Sequence, residues 1–69
     1  MRISARNCLK GTITSITKGP VNAEVVMDIG NGNLITSIIT SHAVDNLQLK
    51  EGSVAYAVIK SSEVMIAVE

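Results

Sequence analysis

The chain has no tryptophan, no phenylalanine and a single tyrosine, Tyr56, among its 69 residues. Proteins that hold single-stranded nucleic acid stack its bases on exposed aromatic rings and line a groove with cations. Here the rings are missing, and six basic residues are cancelled by six acidic ones. No net field draws the chain to nucleic acid or to an anionic membrane surface. Cysteine is just as scarce. Cys8 stands alone, which excludes an internal disulfide, and one cysteine with one histidine, His42, is too small a set for a structural zinc site. No apolar run approaches the ~20 residues that a membrane-spanning helix requires, and Arg2 is followed by no apolar signal core. No nucleophile, base and orienting carboxylate stand at a recognisable spacing, so His42 reads as a solvated residue early in a helix and no enzymatic activity is expected. The unpaired thiol fits a reducing compartment, and a cytoplasmic protein is expected.

What the chain does have is aliphatic surface. Apolar residues make up 46% of it, mostly Val, Ile, Leu, Ala and Met. A single domain over residues 1–69 buries only about 60% of the surface that its unfolded chain exposes. Domains of this size are commonly reinforced by disulfides, a metal or partner subunits, and with the first two absent, self-association is expected.

The alternation of that surface predicts strands. Val21, Ala23, Val25, Met27 and Ile29 alternate with Asn22, Glu24, Val26 and Asp28 before Gly30-Asn31-Gly32-Asn33, a tight hairpin signal. Residues 34–40 carry Leu34 and Ile38 on one face and Ile35 and Ile39 on the other, the mark of a strand covered on both sides. Upstream, residues 9–17 are rich in β-branched side chains and stop at Lys18-Gly19-Pro20, with Gly11 read as a bulge or sharp bend. Downstream, Ser41 reads as the cap of a short helix with apolar positions at Val44 and Leu47. Residues 53–60 form a further two-faced strand, and residues 64–68 a last one. Five strands with one short helix between the third and fourth describe an all-β, OB-like Greek-key barrel. Met27, Met65 and a small, buried Cys8 are assigned to its interior.

Two polar strings flank this pattern: Ser4-Ala5-Arg6-Asn7 before the first strand and Lys60-Ser61-Ser62 after the fourth. Each joins a cation to hydroxyls and free backbone N–H groups, the donors that grip a small oxyanion. Ser62 reads as a turn hydroxyl. Together with Leu9-Lys10-Gly11, Lys18-Gly19, Ala23-Glu24-Val25-Val26, Ile35-Thr36-Ser37-Ile38-Ile39 and Lys60-Ser61-Ser62-Glu63-Val64-Met65-Ile66, these strings resemble the molbindins, the molybdenum-pterin-binding (Mop) family, across nearly the whole chain. Cys8 stands where the family pattern leads one to expect Gln, and His42 is particular to this chain.

The resemblance implies an OB-like barrel assembled as a homohexamer, a trimer of dimers, that binds molybdate or tungstate at subunit interfaces without any direct protein–metal bond. It places the principal site on Ser4, the Ala5 N–H, Arg6, Lys60 and Ser61, closed by Thr40 and Ser41 of a neighbouring subunit. A second site falls on the turn Lys18, Gly19, Pro20 and Val21. The role implied is intracellular oxyanion storage and homeostasis, with no catalytic cofactor. Two alternatives from other classes are an OB-fold module for single-stranded nucleic acid and a molybdopterin carrier; both lack aromatic stacking platforms.

Overall fold

A computed structural model describes residues 1–69. Four antiparallel strands, β1 (Asn7–Lys18), β2 (Asn22–Asp28), β3 (Leu34–Thr40) and β4 (Val54–Ile59), lie in the order β3-β2-β1-β4. Three strands in a meander with a fourth returning beside the first is the Greek-key arrangement. The return path carries the one helix, α1 (Ser41–Asn46). The fold class is thus all-β and OB-like, with four strands in place of the expected five.

The missing strand is residues 64–68. Val64 has extended backbone, φ −90° and ψ 123°, so the local preference of this β-branched segment is met. Strand formation also needs a neighbour to pair with and a surface to cover. A single 3-10 turn, Ser61–Glu63, ends β4 and leads the chain off the sheet, leaving residues 64–68 exposed and unpaired. Met65 is accordingly 92% exposed, not part of the interior.

The hairpin between β2 and β3 forms as its sequence requires. Asn31 sits at φ 55° and Gly32 at φ 75°, the left-handed backbone that Gly and Asn tolerate best. The Asp28 carboxylate accepts the Gly30 N–H at 2.7 Å, which locks the turn to the strand end. Strand β1 is the longest because it serves two partners. It pairs with β4 from Asn7 to Thr12 and with β2 from Thr12 to Lys18. Gly11 lies at this changeover. A Cβ there would stand 2.5 Å from the Asp28 carbonyl oxygen, so what Gly11 provides is close approach of two backbones. The bulge itself falls further on, between Ile13 and Ser15.

Five residues form the core: Ile13, Ala23, Val25, Met27 and Val44. Four come from the inner faces of β1 and β2, and Val44 of α1 packs among them. The helix is capped by Thr40, not Ser41: the Thr40 Oγ1 accepts the Ala43 N–H at 3.0 Å. Leu47 stays exposed. The left-handed Gln48 (φ 54°) turns the chain so that Leu49 packs against the core in its place.

The outer faces are uncovered in a single chain. Leu34 and Ile38 of β3 are 60% and 62% exposed, and Val54, Tyr56 and Val58 of β4 are exposed likewise. Cys8 is exposed as well, because the register sets it opposite Val58 on the outer face. Period-two geometry fixes that outcome once Ile13 points inward.

Gly11→Ala tests the close approach. The obstructing atom is backbone, so relief requires the strands to shift, and the variant should lose roughly 1–3 kcal/mol of stability by urea denaturation. Unchanged stability would show that β1 and β2 separate freely at this point.

Candidate functional site

Pairing of β1 with β4 sets Asn7 opposite Ile59. The Asn7 side-chain amide donates to the Ile59 carbonyl at 3.3 Å, fastening the strand ends. The segment entering β1 and the segment leaving β4 therefore part from the sheet side by side, although they lie more than 50 positions apart in sequence (|i−j| = 52 for Asn7 and Ile59). Ser4, Ala5, Arg6, Lys60, Ser61 and Ser62 line one open concavity of about 460 Å³. Five of these are residues singled out in the sequence. Ser62 is the one that sequence reasoning assigned to the turn, and its adjacency to Lys60-Ser61 was the signal that could have included it.

The charges in the concavity have one sign. Arg6 and Lys60 form no salt bridge, the chain's one ion pair being Lys18 with Asp45. Ser4, Ser61 and Ser62 make no side-chain hydrogen bonds within the chain, while the hydroxyls of Thr14, Thr40 and Ser41 all bond to backbone. Two cations and three uncommitted hydroxyls thus face the same space. All five are exposed, and only Ala5 is partly buried. The arrangement is a set of donors with no carboxylate lining it, suited to a small anion with several acceptor oxygens.

Thr40 and Ser41 stand elsewhere in the chain. Thr40 ends β3 and pairs with Asn22 beside the Lys18 end of β1, and Ser41 opens α1, so they join the Lys18-Gly19-Pro20-Val21 turn instead of Arg6 and Lys60. The Ser41 hydroxyl donates to the Gly19 carbonyl at 2.7 Å, and its backbone N–H to the Val21 carbonyl at 2.8 Å. Both Ser41 donors are committed. The Thr40 oxygen accepts from Ala43, which leaves its own hydrogen free to donate. At the turn, Lys18 pairs with Asp45 and the Gly19 N–H donates to the Asn22 carbonyl at 2.8 Å. Pro20 has no N–H to offer.

A second depression is lined by Lys10, Gly11, Thr12, Thr14, Asp28, Ile29 and Gly30. It marks the changeover of β1 between its two partners. Its lysine is matched by a carboxylate, and the Thr14 hydroxyl is bonded to the Val26 carbonyl at 3.2 Å.

A small OB-like Greek-key sheet whose two terminal segments converge on a donor-lined concavity has the form of a binding module. Residues 3–66 match the family model described as the TOBE domain. Molybdenum-pterin-binding protein 1 of Clostridium pasteurianum is 54% identical over 66 residues, covering 96% of this chain and 97% of the relative. A molybdate binding protein from Sporomusa ovata superimposes with a TM-score of 0.92 at 37% identity, covering 99% of this chain and all of that one. The cytoplasmic molybdate-binding protein ModG, solved with molybdate bound, gives a TM-score of 0.90 at 51% identity, covering 94% of this chain and 46% of ModG. The chain belongs to the TOBE domain family, within its molybdenum-pterin-binding (Mop) group.

Proposed function

We propose that the chain is a molybdate-binding protein, a binder and not an enzyme, and that the anion sits in the concavity of Ser4, Ala5, Arg6, Lys60 and Ser61. The observation that carries this reading is the convergence of two unpaired cations and free hydroxyls from opposite ends of the chain. The names of its relatives, molybdenum-pterin-binding and molybdate-binding proteins, support it.

Molybdate is a dianion near neutral pH whose oxygens all accept hydrogen bonds. Arg6 offers a planar fork of N–H groups to two oxygens, Lys60 a compact charge, and the Ser4 and Ser61 hydroxyls directional donors. No bond from protein to metal is required. Tungstate is close to molybdate in size and charge and binds by the same contacts. Sulfate, with shorter bonds to its oxygens, reaches fewer donors at once. Monoprotonated phosphate brings a P–OH hydrogen into a concavity without a carboxylate to accept it, so one of its oxygens meets a set made mainly of donors as a donor itself.

The concavity is open in one chain, and a neighbouring copy closes it. Of the two groups assigned to that closure, Thr40 has a hydroxyl hydrogen to give, while Ser41 joins only by releasing Gly19. The uncovered faces of β3 and β4 and the apolar residues after Ser61–Glu63 supply the surface for self-association, with a homohexamer as the proposed assembly. The turn at Lys18 to Val21 is proposed as a second, weaker locus, since an anion there must draw Lys18 away from Asp45. Storage and buffering of molybdate or tungstate in the cytoplasm is the role that fits such a binder. A pterin carrier or a single-strand binder would use an aromatic platform. Tyr56, the one residue of the Phe, Tyr and Trp class, lies on the outer face of β4 and does not line the concavity.

Two outcomes test this reading. Arg6→Lys keeps the charge but loses the fork, and should weaken molybdate binding by about 1.5–3 kcal/mol, the worth of one hydrogen bond to a charged group, in titration calorimetry. Arg6→Ala should weaken it further, with only the weaker locus left; unaltered affinity and stoichiometry in the Ala variant would remove the anion from this concavity. Assembly makes stability depend on protein concentration, so the thermal midpoint should rise as the chain is concentrated. A folded monomer in sedimentation at micromolar concentration would contradict it.

A further inference from the structure

We infer that the Ser62 hydroxyl is an additional donor to the bound oxyanion, one tuned to the larger tetrahedral anions. The inference rests on the molybdate reading above and names a residue that reading does not use.

A serine next to a tight turn ordinarily bonds the backbone of that turn, and this is the role its sequence context suggests. The structure departs from it. The 3-10 turn Ser61–Glu63 closes through backbone alone: the Glu63 N–H donates to the Lys60 carbonyl at 2.9 Å and the Val64 N–H to the Ser61 carbonyl at 3.4 Å. No side chain caps its start. The two hydroxyls that border the start of α1 behave differently. Thr40 caps α1 and Ser41 ties α1 to the Gly19 turn, each within 3.0 Å of a backbone partner. Ser62 has no such partner, is exposed, and lines the concavity with Arg6 and Lys60.

A free hydroxyl costs nothing in water, so exposure alone assigns no role. Its placement does. Ser62 lines the concavity with Lys60 and Ser61 on the segment leaving β4, while Ser4, Ala5 and Arg6 come from the segment entering β1. A spherical, four-oxygen dianion gripped from the Arg6 side presents its remaining oxygens to the Lys60 side. There, adjacent hydroxyls of Ser61 and Ser62 can each take one. Neither needs to break an existing bond to do so. Held by Arg6, an anion with shorter bonds to its oxygens spans less of the concavity toward the Lys60-Ser61-Ser62 segment, so Ser62 contributes more to molybdate than to sulfate.

The test is titration calorimetry of the full chain with sodium molybdate and sodium sulfate, for the parent, Ser62→Ala, Ser62→Thr and Arg6→Ala. Circular dichroism checks that each variant is folded, which is expected because Ser62 bonds nothing within the chain. Ser62→Ala should weaken molybdate about ten- to a hundredfold, the equivalent of one lost hydrogen bond to an anion. Ser62→Thr, which keeps the hydroxyl, should stay within about threefold of the parent, and the molybdate-to-sulfate ratio should fall only in the Ala variant. Parent-like molybdate affinity in Ser62→Ala, alongside a clear loss in Arg6→Ala, would overturn this inference and leave the concavity as the site. Equal losses in Ser62→Ala and Ser62→Thr would overturn it too, since the hydroxyl would not be the cause. If neither Arg6→Ala nor Ser62→Ala changes binding, the concavity is not the site and the inference falls with it.

Discussion

Everything at the candidate site depends on the register of β1 against β4. Asn7 opposite Ile59 is what sets Arg6 beside Lys60, and the Asn7 amide on the Ile59 carbonyl holds that end of the ladder at 3.3 Å. Because side chains alternate with period two, a slip of one residue would turn the inner face of one of the two strands outward. Ile13 opposes this, 1% exposed and the most deeply buried large side chain. The cations are thus positioned by core packing several residues away, with no ion pair or disulfide at the site itself.

A five-residue core is slender support for such a geometry. The chain compensates with backbone devices: the β2–β3 hairpin locked by Asp28, the close approach at Gly11, and α1 capped by Thr40 and carrying Val44 inward. The apolar residues left on the outer faces of β3 and β4 exceed what a lone small domain gains by exposing, which is the physical ground for proposing assembly. In the proposed assembly, oxyanion and subunits would stabilise each other, since an anion that bridges two chains favours the assembled state.

Much of this was legible in the sequence because it rests on local rules. Alternation in β2 and β3, the Gly30-Asn31-Gly32-Asn33 turn and the helix after β3 follow from period and turn chemistry, and each is observed close to its expected place. Ser4, Ala5, Arg6, Lys60 and Ser61 were recognisable as a donor set, and the fold brings all five into one concavity. What was not legible depends on partners distant in sequence. Residues 64–68 have the composition of a strand but no neighbour in a single chain, and Met65 goes outward with them. Cys8 faces out because of its register with Val58, which composition cannot convey. Gly11, expected at a bulge or sharp bend, lies where β1 changes partners and is required there by a close backbone contact, and Leu49, instead of Leu47, packs against the core.

The central claim is that convergent, unpaired donors at the β1 and β4 ends hold a tetrahedral dianion of molybdate size. Calorimetric titration of the chain with molybdate, sulfate and phosphate in one buffer tests it most directly. The account predicts saturable molybdate binding at least tenfold tighter than that of sulfate or phosphate. Equal affinity for all three, or no heat with molybdate, would contradict it.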